Sequence, residues 1–221
     1  MKRYGWIIAA LLGIWVVGMI IVYPKLKKRE RLQVYQPVDV NPKLVDEDMQ
    51  RQGRDHHIAP FHLIDQNGDS VTQADFEGVV YVADFFFTTC PSICPKMSNN
   101  LSALAVEYAN EPRIKFLSHS VTPEKDSVPV LAAYAAKYNA NAAQWKLVTG
   151  DKKHIYELAR RSYFAVTTEG DGGPDDFIHT ENFILVDTKS RIRGFYDGTS
   201  KPDMERLRGD ISILMLEVFP E

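Results

Sequence analysis

Val79 to Phe87 reads VVYVADFFF, an almost unbroken apolar run with a single charge at Asp84. A stretch this rich in β-branched and aromatic residues fits a strand covered on both faces. Such a strand needs layers packed on either side of its sheet, which points to the α/β class. Two cysteines, Cys90 and Cys94, follow it at once, and Pro95 stands where the first turn of a helix tolerates it. Met97, Leu101, Leu104, Ala105 and Tyr108 then keep helical spacing on one face.

The remaining pattern agrees. Phe61 to Ile64 reads as a strand leading into an Asn67-Gly68 turn, the start of a hairpin. Asp65, Asn67 and Asp69 imitate the opening of a calcium loop. Ser70 and Phe76 occupy the places where that loop needs glycine and a bidentate glutamate, so a plain turn is expected. Strands are expected over Ile114–Ser120, Lys146–Thr149, Phe177–Asp187 and Arg191–Tyr196. Helices are expected from Val128, from the Asp151 cap and from near Pro202. Hairpin, strand–helix alternation, then hairpin and helix make a mixed sheet with helices on both faces.

The amino terminus adds a second constraint. Tyr4 to Tyr23 carries no charge, about the ~20 residues a helix needs to cross a bilayer. Tyr4, Trp6 and Tyr23 lie near its ends, where aromatic rings favour the interface. A secretory signal would have a shorter apolar core and a small-residue cleavage site before the basic run, and neither is seen. Residues 1–24 are therefore expected to be an uncleaved transmembrane anchor, 25–54 a tether and 55–221 the folded domain. Five basic residues between Lys25 and Arg31 outnumber Lys2 and Arg3, so charge counting alone would place the domain inside the cell. With 29 acidic against 26 basic side chains there is no basic face for nucleic acid.

Cys90 and Cys94 are the only cysteines in the chain, too few for a disulfide-stapled domain and close enough to form a site. They sit between a buried strand and a helix start, where free N–H groups and the helix dipole favour thiolates. Two thiolates select Cu(I), zinc or iron–sulfur. Clusters and structural zinc ask for four ligands; copper accepts three, and zinc with an outside ligand stays open. Of six histidines, His179 follows a glycine-rich loop at the head of an apolar segment. By itself it reads as a histidine bonded to backbone, and the thiolate pair is what makes it a candidate. His119 is the substitute. His56, His57 and His154 read as surface groups, and His62 as structural.

Four segments in order resemble one family. FFFTTCPSICP (85–95), SVTPEKDSVPVLAAYAAKY (120–138), FIHTENFILVD (177–187) and GFYDGTS (194–200) are similar to the motifs of the Sco/SenC copper-binding assembly proteins of cytochrome c oxidase. Ser92 and Thr122 depart from the acidic residues many members carry there. The resemblance implies a thioredoxin-like fold and one copper ion, Cu(I) or Cu(II), held by Cys90, Cys94 and His179. It implies a single-pass anchor in the cytoplasmic membrane, with the domain facing the periplasm or cell exterior; nothing in the sequence suggests an obligate oligomer, so a monomer is expected. It also implies delivery of copper to the binuclear centre of the copper-bearing oxidase subunit. The alternative is a thiol–disulfide oxidoreductase that uses a Cys90–Cys94 disulfide to reduce the oxidase cysteines, although such enzymes favour a CxxC spacing. A peroxide-reducing or redox-sensing protein ranks third.

Overall fold

The computed structural model describes residues 31–40, 55–166, 170, 172–173 and 175–220. The expected membrane span over 4–23 lies outside them. No helix among the described residues is long and apolar enough to cross a membrane.

Seven strands form one sheet: β1 (His62–Asp65), β2 (Ser70–Thr72), β3 (Val80–Phe86), β4 (Ile114–Ser120), β5 (Trp145–Thr149), β6 (Asn182–Val186) and β7 (Ile192–Asp197). Their order is β2-β1-β5-β4-β3-β6-β7. The β3–β4 and β4–β5 pairs are parallel, whereas β1 joins β5 and β6 joins β3 antiparallel. All seven residues of β3 are buried, as the uninterrupted apolar run requires.

Alternation along β3 splits the core in two. Tyr81, Ala83 and Phe85 face Ile155, Leu158 and Ala159, which belong to α3 (Lys152–Glu157) and the π turn Leu158–Ser162 that continues it. Val80, Val82 and Phe86 face α1 (Ile93–Glu107), α2 (Val128–Lys137) and α4 (Lys201–Val218). In α1 the buried side chains are Cys94, Met97, Ser98, Leu101, Leu104 and Ala105, one stripe at helical spacing. Each fully buried leucine in such a stripe contributes roughly 1.5–3 kcal/mol.

The turn after β1 is a turn and nothing more. Gly68 takes φ +87°, a left-handed conformation that favours glycine, and its N–H donates to Asp65 O at 2.9 Å. The Asp65 carboxylate is used up by the N–H groups of Asn67 and Asp69 and by Lys146. Asp151 caps α3 by accepting from His154 N–H at 2.8 Å.

Two expectations need correction. The stretch assigned to the tether is docked on the domain over residues 32–40. Tyr35 N–H donates to Ile192 O at 2.9 Å, and the Arg193 guanidinium reaches Leu32 O at 2.7 Å and Gln33 O at 3.2 Å. The buried cation needs these acceptors, and so short an extension shows no period. Second, β6 begins at Asn182 rather than Phe177. Residues 177–181 alternate in burial, with Ile178 and Thr180 buried and Phe177, His179 and Glu181 exposed, but no ladder continues there. Thr180 Oγ1 and Asn182 Nδ2 donate instead to Ala165 O, at 2.8 and 2.9 Å.

Candidate metal centre

The chain leaves β3 at Phe86 and enters α1 at Ile93; Cys90 lies in this crossing and Cys94 just inside the helix. Cys90 N–H closes a turn on Phe87 O at 3.2 Å. Cys94 sits in the first turn of α1, and its N–H points at Cys90 Sγ over 3.4 Å. The two thiols are free and buried, with 7% of Cys90 and 2% of Cys94 exposed.

Their surroundings differ. Burial pushes the Cys90 thiol up, but N–H groups of Cys94, Ser92 and Ile93 and the Cys94 thiol outweigh it and bring it below the usual cysteine range. Burial pushes Cys94 up to about 12, helped by the proximity of Cys90 and by the charge of Asp84. Cys90 is therefore the more acidic thiol of the pair and Cys94 the less acidic.

Asp84 lies under the pair, on the α1 side of the sheet. Only 2% of it is exposed, it accepts from Ser118 Oγ, and burial pushes it up to about 7. Ser118 Oγ in turn accepts from Trp145 Nε1 at 2.9 Å.

His179 is exposed on the segment before β6. That segment reaches the cysteine loop through aromatic rings: Phe177 meets Phe87 edge-on, with centroids 5.2 Å apart, and His179 follows 6.5 Å from Phe177. The structure thus brings Cys90 and Cys94 together and leaves His179 on the adjoining segment. Among the described residues no three His, Cys, Asp or Glu side chains are gathered closely enough to hold a metal ion.

The substitute ligand falls out. His119 lies on the opposite sheet face, stacked on Phe85 at 4.7 Å. It is fully buried, its Nδ1 meets Asp84 O at 3.2 Å, and burial pushes it down to about 4. His62 pairs with Ser70 Oγ at 2.8 Å, and His57 with Lys189 O at 2.6 Å. His56 is half-buried rather than a surface group, its ring 4.5 Å from Phe164.

Sequence reading missed a buried carboxylate beside the loop. Asp126 accepts from Thr88 N–H and Oγ1, from Ser120 Oγ and from Thr122 Oγ1. The spacing Thr122-x-x-x-Asp126 at a strand-to-helix turn is the only local hint, and it does not name Thr88.

The SCO1/SenC family model matches residues 49–214. The chain belongs to this family. It is 30% identical over 158 residues to a SCO1 protein homolog of Bacillus subtilis, covering 71% of this chain and 81% of that one. It also resembles the solved structure of BsSco, whose study reports a disulfide switch in a member of the Sco family of cytochrome c oxidase assembly proteins. There the TM-score is 0.63 with 28% identity, over 77% of this chain and all of that one. Yeast Sco1 with copper bound shares the fold at TM-score 0.55 and 22% identity, over 72% of this chain and 90% of that one. The mixed sheet with its flanking helices is the thioredoxin-like fold of the Sco family.

Proposed function

We propose that this protein carries copper for the assembly of cytochrome c oxidase and hands it to the binuclear copper centre of the oxidase subunit. The observation that carries the reading is the pair Cys90 and Cys94, two free thiols joined by an N–H···S contact at a helix start. Two sulfurs at one point suit a soft monovalent ion, and an imidazole from His179 suits the divalent one. Family membership supports the recipient: BsSco, a relative by fold and sequence, is described as an oxidase assembly protein.

The chain's residues supply a graded site. Cys90, held as the more acidic thiol, takes the ion first; Cys94 must lose its proton to follow. Ligand exchange with a recipient thiolate then proceeds one sulfur at a time, which needs reduced cysteines. His179, exposed on its own segment, is the third ligand in this reading. The uncharged stretch 4–23 anchors the domain in the cytoplasmic membrane, with the site facing the periplasm or cell exterior.

A second reading rests on the unequal thiols. A lowered Cys90 beside a raised Cys94 is also the arrangement of an attacking and a resolving cysteine, so thiol–disulfide exchange with the oxidase cysteines is its natural alternative.

The test uses the detergent-solubilised full chain, reduced and loaded anaerobically with Cu(I), with bound copper counted by elemental analysis. One copper per chain that is lost in a Cys90→Ala/Cys94→Ala variant supports the carrier. A copper-free parent whose disulfide exchanges readily with thiols sinks it and favours the second reading.

A further inference from the structure

Asp126 is fully buried, and no lysine, arginine or histidine stands among its described partners. A buried carboxylate without a cation is costly unless strong donors surround it. Four do so here. Thr88 Oγ1 donates to Oδ1 at 2.5 Å, while Thr88 N–H, Ser120 Oγ and Thr122 Oγ1 donate to Oδ2 at 3.3, 2.6 and 3.0 Å.

The donors come from two places far apart in the sequence. Ser120 ends β4 and Thr122 opens the turn that follows it, whereas Thr88 lies in the crossing from β3 to α1, two residues before Cys90. The ladder between the strands stops at Phe86 and Ser120, and Val121 N–H still reaches Phe86 O at 2.8 Å. Beyond that point it is the Asp126 carboxylate that continues the link.

The carboxylate thus staples the crossing at Thr88, inside the turn by which Cys90 N–H closes on Phe87 O. That turn sets where Cys90 Sγ stands relative to Cys94. From this geometry we propose that Asp126, acting through Thr88, is a positioning residue that holds Cys90 and Cys94 in mutual register. The inference needs only a paired cysteine site, so it holds for either reading above.

A purely structural role would lower stability and leave the relation of the two sulfurs alone. Their mutual placement is measured by the equilibrium in which two thiols and oxidised glutathione give the protein disulfide and two reduced glutathiones. The experiment uses the full chain in detergent, free of metal, with variants Asp126→Asn, Thr88→Val, both together, and Thr88→Ser. Asp126→Asn and Thr88→Val should each lower that equilibrium constant about tenfold. The double variant should go no lower than either alone, because both cut one link. Thr88→Ser, which keeps the hydroxyl, should stay within about twofold of the parent. Parent-like constants in Asp126→Asn and Thr88→Val, whatever their melting temperatures, would overturn the proposal. If Asp126→Asn does not fold, Thr88→Val against Thr88→Ser decides. Failure of the parent to bind copper would remove the carrier reading and leave this result standing.

Discussion

The backbone N–H of Cys94 points at Cys90 Sγ over 3.4 Å, and the arrangement is not symmetric: Cys94 has a backbone partner at Phe87, but burial, Cys90 and the field of Asp84 outweigh it. Alkylation reads this asymmetry directly, because the thiolate is the nucleophile. In the reduced, metal-free protein near neutral pH, iodoacetamide should modify Cys90 about tenfold or more faster than Cys94. Peptide mass spectrometry over a time course measures it. Equal rates would show that the helix-start N–H groups do not separate the two thiols.

Asp84 makes stability depend on pH in an unusual direction. Burial raises its carboxyl from 3.8 to about 7 in the folded chain. Between those values the unfolded chain has released a proton that the folded chain keeps. The contribution is therefore complete below about pH 4 and is lost as pH rises towards 7. The whole swing is at most ~4 kcal/mol. Asp84→Asn keeps an acceptor for Ser118 and removes the titration. Urea unfolding of the metal-free protein at pH 5 and 8 should show the parent losing more stability than the variant; parallel losses would contradict the buried acid.

His119 pulls the other way. Its folded value lies near 4, below the ordinary 6.5, so stability is present above 6.5 and is lost as pH falls towards 4. Its Nε2 is also buried without a partner. His119→Phe keeps a flat ring on Phe85 and removes both costs. At pH 5 the variant should be more stable than the parent by roughly 1–3 kcal/mol, with a smaller gain at pH 8. A variant destabilised equally at both values would mean that the Asp84 O contact matters more than the unpaired nitrogen.

Arg193 fixes the amino-terminal strap. Its side chain is fully buried, paired with Asp187 at 2.9 Å and Glu217 at 2.7 Å, and it also holds Leu32 O and Gln33 O. Arg193→Ala leaves those acceptors behind and should cost roughly 3–5 kcal/mol. It should also open the chain around Tyr35 to chymotrypsin, with the parent expected to resist cleavage there. Cleavage sites mapped by mass spectrometry give the answer, and an unchanged pattern would show that the Tyr35–Phe195 ring contact and the β7 hydrogen bond suffice.

The parts legible in the sequence are those whose cause is local. The apolar run of β3, the stripe of α1 and the Asp151 cap each follow from a handful of neighbouring residues. The cysteine pair was legible because spacing and helix start lie in one segment. What stayed hidden depends on partners far along the chain. Phe177 to Asp187 alternates like a strand, yet its first five residues lose the ladder because Thr180 and Asn182 turn to Ala165. Asp126 draws on Thr88, and Arg193 on Leu32, and no periodicity announces either partner.

Phe177 joins the two halves of the proposed site. It is 46% exposed, an unusual position for a phenylalanine, and its ring meets Phe87 edge-on at 5.2 Å. Phe87 in turn offers its carbonyl to Cys90 N–H. Such an aromatic pair contributes about 0.5–1.5 kcal/mol beyond its buried area. That is enough to favour a position of the His179 segment beside the sulfurs by several-fold. Phe177→Ala should release the segment while leaving the thiols as they are. Cu(II), which gains from an imidazole, should then bind about tenfold more weakly, followed by its thiolate charge-transfer band. Cu(I), held by two sulfurs, should keep its affinity in competition with a chelator. Phe177→Tyr, which retains the ring, should behave as the parent. A loss of Cu(I) and Cu(II) together would place the damage at the cysteines, and unchanged Cu(II) binding would mean that His179 either needs no clip or is not a ligand.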